Sequence, residues 1–246
     1  ARKSRGLGDV YKRQLIKKSK ETVLLNSSSD VNVTREVLSA ASKVNAIVDH
    51  VNSSIFLKNI SIYQRRGYMA TSLTEIKNKS DVIIVFSNNL FETYPRLMEK
   101  FLATKNSFSV NSKKKEIYVI GKKVNNTKDC NIRDKRITYI DFNNRNITKL
   151  LNSFIIKKNE SSISTKLFNK LLTSIERSKY LSVLWATSEF DCYKECDEII
   201  YNISAYVVSL NKSSRAACLS FSGNDGDASF TQTLGWMTGF PSRIKF

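Results

Sequence analysis

The sequence predicts an α/β protein with Rossmann-like parallel sheets flanked by helices. Short apolar runs of the kind buried in parallel sheets recur along the chain, and amphipathic stretches with helical spacing lie between them. Turn-forming residues separate the two kinds of segment. This alternation favours a parallel sheet covered on both faces in a doubly wound arrangement.

The first part of the chain is predicted to form units of strand, loop and helix. A β-prone run at 22–25 leads into a helix whose apolar positions recur at helical spacing: Val37, Ala40, Ala41, Val44 and Ile47. A helix at 73–79 precedes an apolar strand at 81–86. Pro95, which needs no amide donor in a first turn, is expected to open the next helix. Further strands are predicted at 116–120 and 137–142.

A polar, turn-like stretch at 159–164 is predicted to be a linker or a change of topology. The alternation then continues with a helix, a strand at 180–186, a helix at 192–210, a strand at 216–221 and a helix near 229–237. We therefore predict a first Rossmann-like domain at 15–158. A second α/β segment is predicted at 159–246, truncated at its carboxyl end.

The amino-terminal residues 1–14 are interpreted as an artefact. The stretch from Asp9 to Gln14 reads DVYKRQ, which is the in-frame translation of a sequencing-adapter end. These residues are therefore set aside, and the chain is expected to be an internal fragment of a longer protein.

The formal net charge is +18, of which about +14 remains without residues 1–14. The basic residues are spread singly and in short runs, and no recognised reader motif accompanies them. Solvated surface lysines are therefore favoured, and a basic nucleic-acid-binding protein is kept only as a remote alternative. No apolar run approaches the ~20 residues that cross a bilayer, so no membrane span is predicted.

Four cysteines occur without any CxxC pair, which is typical of a reduced, cytoplasmic protein: Cys130, Cys192, Cys196 and Cys218. Cys192 and Cys196 would share a face of the predicted helix, but no His or further Cys nearby completes a metal site. Ordinary helix-face cysteines are therefore favoured. His50, the single histidine, is interpreted as a helix-end or structural residue. No acid, base or nucleophile constellation indicates a catalytic residue.

Two loops that follow predicted strands are the candidate binding sites, because ligands of doubly wound sheets bind at the carboxyl ends of strands. The first contains Ser87, Asn88 and Asn89. The second, GNDGD, contains Gly223, Asn224, Asp225, Gly226 and Asp227. Glycines permit close backbone approach, and aspartates accept hydrogen bonds from a ligand or cap the next helix. A plain structural turn with an Asp cap explains the second loop equally well.

The segment RAACLSFSGNDGDASFTQTLGWMTGFPSRIKF resembles formylmethanofuran dehydrogenase B subunits and the matching component of methylotroph formyltransferase/hydrolase complexes. A second stretch, GYMATSLTEIKNKSDVIIVFSNNLFETYPRLMEKF, resembles the same subunits. The family carries a His-Pro-Arg or similar where Tyr94, Pro95 and Arg96 stand here. The resemblance covers most of residues 20–246 and keeps the order of the segments.

These B subunits are similar to the large subunits of molybdopterin and tungstopterin oxidoreductases, which hold two pterin guanine dinucleotides at loops of these two kinds. The resemblance thus implies cofactor-binding roles for Ser87, Asn88, Asn89 and for Gly223, Asn224, Asp225, Gly226 and Asp227. Two departures weaken this implication. Ser87 stands where the pterin enzymes usually have Gly, and Leu90 where they often have Pro. The family's iron–sulfur and metal-binding cysteines lie upstream of this fragment.

Two functions in one-carbon metabolism follow from the resemblance, in methanogenesis or methylotrophy, and they leave open whether this chain is itself an enzyme. In the first, slightly favoured, the chain is a cofactor-free scaffold whose partners carry the chemistry. The implied partners are an amidohydrolase-like A subunit, a formyltransferase-like D subunit and a C subunit, which contact a methanofuran-type cofactor. In the second, it binds tungsten or molybdenum pterin and interconverts carbon dioxide with formate or formylmethanofuran.

Overall fold

The computed structural model describes residues 2–26, 29–103, 115–122, 137–221, 223 and 226–246. The chain divides into two compact units. Unit 1 comprises Ala1–Leu57 and Gly223–Phe246, and unit 2 comprises Lys58–Ser222. The domain boundary expected near residue 158 stays a prediction. Among the described residues, no helix combines the length and apolarity that a membrane crossing needs.

Unit 1 contains a three-stranded sheet in the order β1-β2-β8. Its elements are α1 (Arg2–Lys18), β1 (Val23–Asn26), α2 (Val31–Val44), β2 (Ile47–His50), the start of α3 (Ser53–Arg66), α10 (Asp227–Thr238) and β8 (Ile244–Lys245). Strands β1 and β2 are parallel, whereas β8 runs antiparallel to β2. Leu38, Ala41, Val48, Phe230 and Leu234 form its core. Residues 8–18 of α1 contribute nothing to this core, since all but Ile16 are exposed.

Unit 2 is built on a five-stranded, all-parallel sheet, which confirms the predicted α/β fold class. Its strands are β3 (Val82–Phe86), β4 (Glu116–Gly121), β5 (Ile137–Asp141), β6 (Tyr180–Ala186) and β7 (Arg215–Phe221). The spatial order is β5-β4-β3-β6-β7. The chain therefore builds outward from β3 to β5 and then crosses back to place β6 on the other side of β3.

Helices cover both faces of the unit 2 sheet, as the continuous burial of β3 requires. They are the rest of α3, α4 (Leu73–Lys79), α5 (Leu90–Thr93), α6 (Ile147–Ile156), α7 (Thr165–Arg177), α8 (Thr187–Phe190) and α9 (Cys196–Leu210). Ile84 and Phe86 face the larger core cluster, while Ile83 and Val85 face the other. This alternation follows from the two-residue period of a strand.

Several helix ends follow the local signals in the sequence. Asp30 caps α2 by accepting a hydrogen bond from the Val33 amide at 2.8 Å, and Ser72 caps α4 through the Glu75 amide at 3.2 Å. Asn45 ends α2 in the left-handed conformation with φ 52°. The helix predicted through Ile47 is therefore wrong beyond Val44, because Ile47 begins β2.

Two other helix predictions also need correction. Pro95 lies in a turn between α5 and a five-residue π-helix, Met98–Leu102, rather than opening an α-helix. The helix predicted from residue 192 begins at Cys196, after the short helix α8. Cys192 and Cys196 therefore do not share one helix, and the first is exposed while the second is buried.

Candidate functional site

The strand order of unit 2 places a topological switch point between β3 and β6. The two strands are parallel neighbours with Phe86 opposite Trp185, so their carboxyl ends lie side by side. Connections on the two sides of such a point leave in opposite directions and open a crevice between them. The loop that follows β3, which contains the predicted site residues Ser87, Asn88 and Asn89, begins at this crevice.

The loop after β3 presents three hydrogen-bond donors, and one carboxylate accepts from all of them. Glu189, in α8 just after β6, accepts from the Ser87 hydroxyl through Oε1. The amide of Asn88 donates to Glu189 Oε2 at 2.5 Å, and the amide of Asn89 donates to Oε1 at 3.0 Å. Both carboxylate oxygens of Glu189 are therefore engaged across the switch point.

The same loop is held from its other side by the end of β4. Asn88 Oδ1 accepts a hydrogen bond from the Lys122 amide at 2.6 Å, which turns the Asn88 side chain towards β4. Gly121 leaves the loop the space it needs, because a Cβ there would lie 2.5 Å from the carbonyl oxygen of Ser87. The loop after β3 is thus fixed by contacts with both neighbouring strands.

A buried hydrogen-bond network at the end of β6 positions the segment that carries Glu189. The Thr187 hydroxyl accepts from Asn59 Nδ2 at 2.8 Å and from Trp185 Nε1 at 3.2 Å, and it lies 3.1 Å from Asn59 Oδ1. Thr187, Asn59 and Trp185 are all buried. Because buried polar groups are costly to leave unpaired, this network holds the start of α8 in place.

The residues at the β3 loop do not fit the phosphate of a pterin dinucleotide as they stand. A phosphate at a strand end is bound by backbone amides and a hydroxyl that point into the crevice. Here those donors already bind a carboxylate of the same charge sign from the chain itself. The cofactor role of Ser87, Asn88 and Asn89 stays a prediction.

The second candidate loop belongs to unit 1 and is described in part. Asn224 and Asp225 lie outside the described residues. Gly226 has φ 87° and immediately precedes α10, so it occupies a conformation that favours glycine. Asp227 is the first residue of α10 and is 5% exposed. A Cβ at Gly223 would lie 1.8 Å from Asp227 Oδ2, so this position is closely packed against the carboxylate.

Two side chains from the end of β2 lie against the buried Asp227 carboxylate. Asn52 Nδ2 donates to Asp227 Oδ2 at 2.6 Å, and His50 Nε2 lies 2.9 Å from Oδ1. The Asn52 amide donates to His50 Nδ1 at 3.0 Å. The predicted helix-end position of His50 is wrong, because this residue ends strand β2. The cofactor roles of Gly223, Asn224, Asp225, Gly226 and Asp227 stay predictions.

The described residues contain no group of three or more His, Cys, Asp or Glu side chains placed to hold a metal ion. Cys196 and Cys218 are buried, and burial raises the pKa of their thiols to about 11 and about 12. Cys192 is exposed, and its thiol lies 3.5 Å from the carbonyl oxygen of Glu189.

We expect iodoacetamide at pH 8 to alkylate Cys192 at least about 100-fold faster than Cys196 or Cys218 in the native protein. The reason is that the thiolate is the reactive species, and both burial and a raised pKa suppress it. Peptide mass spectrometry over a time course measures the three rates separately. The rates should converge in denaturant, and equal native rates would contradict the burial of Cys196 and Cys218.

The sequence predictions missed Glu189, although a signal for it was present. The strand-end rule was applied to the strands now identified as β3 and β7, whereas the switch point joins β3 to β6. The tripeptide Ser188-Glu189-Phe190 follows the end of β6 almost directly, so an acidic side chain within three residues of that strand end was visible. The contact of Glu189 with the loop after β3 was not visible in the sequence, because the paired strands β3 and β6 lie about 100 residues apart in the chain.

Two of three comparisons with known proteins find proteins similar to this chain. No protein-family model matches the chain. Over 225 residues it is 20% identical to the B subunit of the tungsten-containing formylmethanofuran dehydrogenase 2 of Methanococcus maripaludis, covering 89% of this chain and 52% of that protein. The chain thus spans about half the length of this curated relative.

The fold also matches a solved structure, the formyltransferase/hydrolase complex (FhcABCD) of Methylorubrum extorquens bound to methylofuran. The TM-score is 0.72 at 17% identity, over 95% of this chain and 62% of the matched chain. The resemblance inferred from the sequence is therefore confirmed: over most of its length the chain is similar to the B subunit of formylmethanofuran dehydrogenase.

Proposed function

We propose that this chain is part of a B-type subunit in a complex of formyl-level one-carbon metabolism that uses a methanofuran-type carrier. The observation that carries this proposal is the agreement of two comparisons over about nine tenths of the chain. The curated relative is named as a formylmethanofuran dehydrogenase B subunit. The matched structure is named as a formyltransferase/hydrolase complex with methylofuran.

Within such a complex, the chain acts as a scaffold that carries no redox chemistry of its own. The donors of the β3 loop and the carboxylate of Asp227 already have partners within the chain. Hydrolytic and formyl-transfer chemistry then belongs to partner subunits of the amidohydrolase-like A and formyltransferase-like D kinds, assembled with a C subunit. The methanofuran-type carrier reaches this scaffold only through those partners.

A second candidate function is favoured by the name of the curated relative, which is tungsten-containing. In this alternative the full-length protein binds a tungsten or molybdenum pterin and interconverts carbon dioxide with a formyl-level unit. Such a cofactor supplies the redox chemistry, and the protein supplies its binding surface and electrostatic surroundings.

Metal analysis of the purified complex separates the two functions. The full-length protein, tagged and purified from its source cells, is expected to bring down A-, C- and D-type subunits and to contain less than about 0.1 tungsten or molybdenum per tagged chain. Inductively coupled plasma mass spectrometry measures the metals, and peptide mass spectrometry identifies the partners. Stoichiometric tungsten or molybdenum would select the redox function. Purification of an active monomer without such partners would contradict the proposed membership of a complex.

A further inference from the structure

We propose that the Glu189 carboxylate occupies the hydrogen-bond donors of the loop after β3, and that it thereby prevents this loop from binding the phosphate of a dinucleotide. The inference deepens the proposed scaffold function. It rests on that function in one respect, because it identifies the loop after β3 with a cofactor-binding loop of the pterin enzymes. Its physical basis is independent of that identification, because it lies in the contacts of Glu189 itself.

The contacts of Glu189 match those that a bound phosphate makes at a strand end. Two successive backbone amides, of Asn88 and Asn89, and the Ser87 hydroxyl donate to a single anionic group. Hydrogen bonds to a charged acceptor are among the strongest in proteins, and both oxygens of Glu189 take part. A phosphate would need the same three donors, so its binding and that of Glu189 exclude each other.

Glu189 reaches the loop without reorganisation of the fold. It lies two residues after Thr187, which the hydrogen bonds of Asn59 and Trp185 hold at the end of β6. The adjacent strands β3 and β6 are in register from Val82 to Phe86, so the start of α8 is fixed beside the loop. The carboxylate is therefore positioned by the sheet, and displacing it would leave a charge without its partners at a partly buried position.

On its other side, the loop is held by contacts with the described end of β4. The Asn88 side chain is bound to the Lys122 amide, and the carbonyl of Ser87 lies against Gly121 at the end of β4. The Ser87 hydroxyl also accepts from the Leu90 amide at 2.8 Å, which ties it to the first turn of α5. These contacts fix the direction of all three donors towards Glu189.

The test compares Glu189→Ala with Glu92→Ala in the full-length protein within its complex. Glu92 is an exposed carboxylate of α5, so its removal changes the charge beside the loop by the same amount. Guanosine diphosphate and inorganic phosphate are the probes. The melting temperature is measured by differential scanning fluorimetry at constant ionic strength.

We expect 5 mM guanosine diphosphate to leave the melting temperature of the wild-type protein unchanged. Glu189→Ala is expected to lower it by about 5–10 °C, because three donors lose a charged acceptor. Inorganic phosphate at 50 mM should restore part of this loss, whereas chloride at equal ionic strength should not. Glu92→Ala should change the melting temperature by less than about 2 °C and show no response to phosphate. Glu189→Gln, which keeps the shape of the side chain, should give a smaller loss.

Two results would overturn the proposal. One is a wild-type response to guanosine diphosphate that disappears in Ser87→Ala, since the loop would then bind phosphate with Glu189 present. The other is a loss in Glu189→Ala no larger than in Glu92→Ala. Neither result depends on the metal content of the complex, so failure of this inference and failure of the scaffold function are distinguishable.

Discussion

Replacing Gly121 by alanine is expected to lower the free energy of unfolding of unit 2 by about 2–3 kcal/mol. The added Cβ would lie 2.5 Å from the carbonyl oxygen of Ser87 and 2.7 Å from Asn88 Oδ1. The nearer of these two atoms belongs to the backbone of Ser87, so rotation of the Asn88 side chain alone cannot relieve the strain. Either β4 or the loop after β3 must therefore shift. A shift would strain two hydrogen bonds of Asn88, the one from its amide to Glu189 and the one that its side chain accepts from the Lys122 amide.

The measurement is a denaturant titration in a Trp236→Phe background. That substitution leaves the buried Trp185 of β6 as the single tryptophan, so its fluorescence reports on unit 2. The matched control is Gly235→Ala in α10, where a Cβ meets nothing within 4 Å. This control is expected to raise stability by about 0.5–1 kcal/mol, as measured by circular dichroism, because alanine favours a helix interior. A neutral Gly121→Ala would contradict the close approach of the loop to β4.

The sequence patterns located most elements because their determinants are local. The predicted helix at 73–79 and strand at 180–186 coincide with α4 and β6. The first begins at a Ser cap, and the second is a mostly apolar run flanked by helical segments. The parallel sheet followed from the alternation of strands and helices, and the confirmed fold class depends only on that alternation.

One error arose where helical spacing continued past the true end of a helix. Ile47 lies at a helical distance from Val44 and Ala40, so the periodic pattern extends through it. Asn45 interrupts the helix by adopting a left-handed conformation, and the chain then extends into the short strand β2. A four-residue strand has too few positions to show its own period, so β2 and the position of His50 were not predictable from the pattern.

The position of the loop after β3 could be predicted from the sequence, but its contacts could not. The strand-end rule led to the residues that follow β3, and these do lie at the switch point. The acceptor that binds the hydrogen-bond donors of this loop comes from the strand next to β3. That neighbour could not be predicted, because sequence periodicity carries no information about strand order. Glu189 and Ser87 meet because the chain crosses back after β5, and only the sheet topology reveals that crossing.

The last prediction concerns Asp227, whose replacement by alanine is expected to destabilise unit 1 by about 3 kcal/mol. The carboxylate binds Asn52 at 2.6 Å and faces His50 Nε2 at 2.9 Å, and all of this lies at the buried start of α10. Without it, the Asn52 side-chain amide loses its acceptor, and His50 loses the carboxylate that lies beside its ring. The His50 ring also packs beside Phe230, with 5.2 Å between the ring centroids.

The control is Asp197→Ala, because Asp197 lies in the first turn of α9 but is exposed. Its loss removes only a favourable charge at a helix start, which costs about 0.3–1 kcal/mol. Chemical denaturation gives both free energies. Nitrogen NMR of the single histidine gives an independent readout, since the Asp227 carboxylate lies 2.9 Å from His50 Nε2 and the ring signals should therefore change in Asp227→Ala alone. If the two variants instead cost the same and the histidine spectrum is unaltered, Asp227 has no structural network to support. The cofactor role expected from the family resemblance would then be the better explanation of its position.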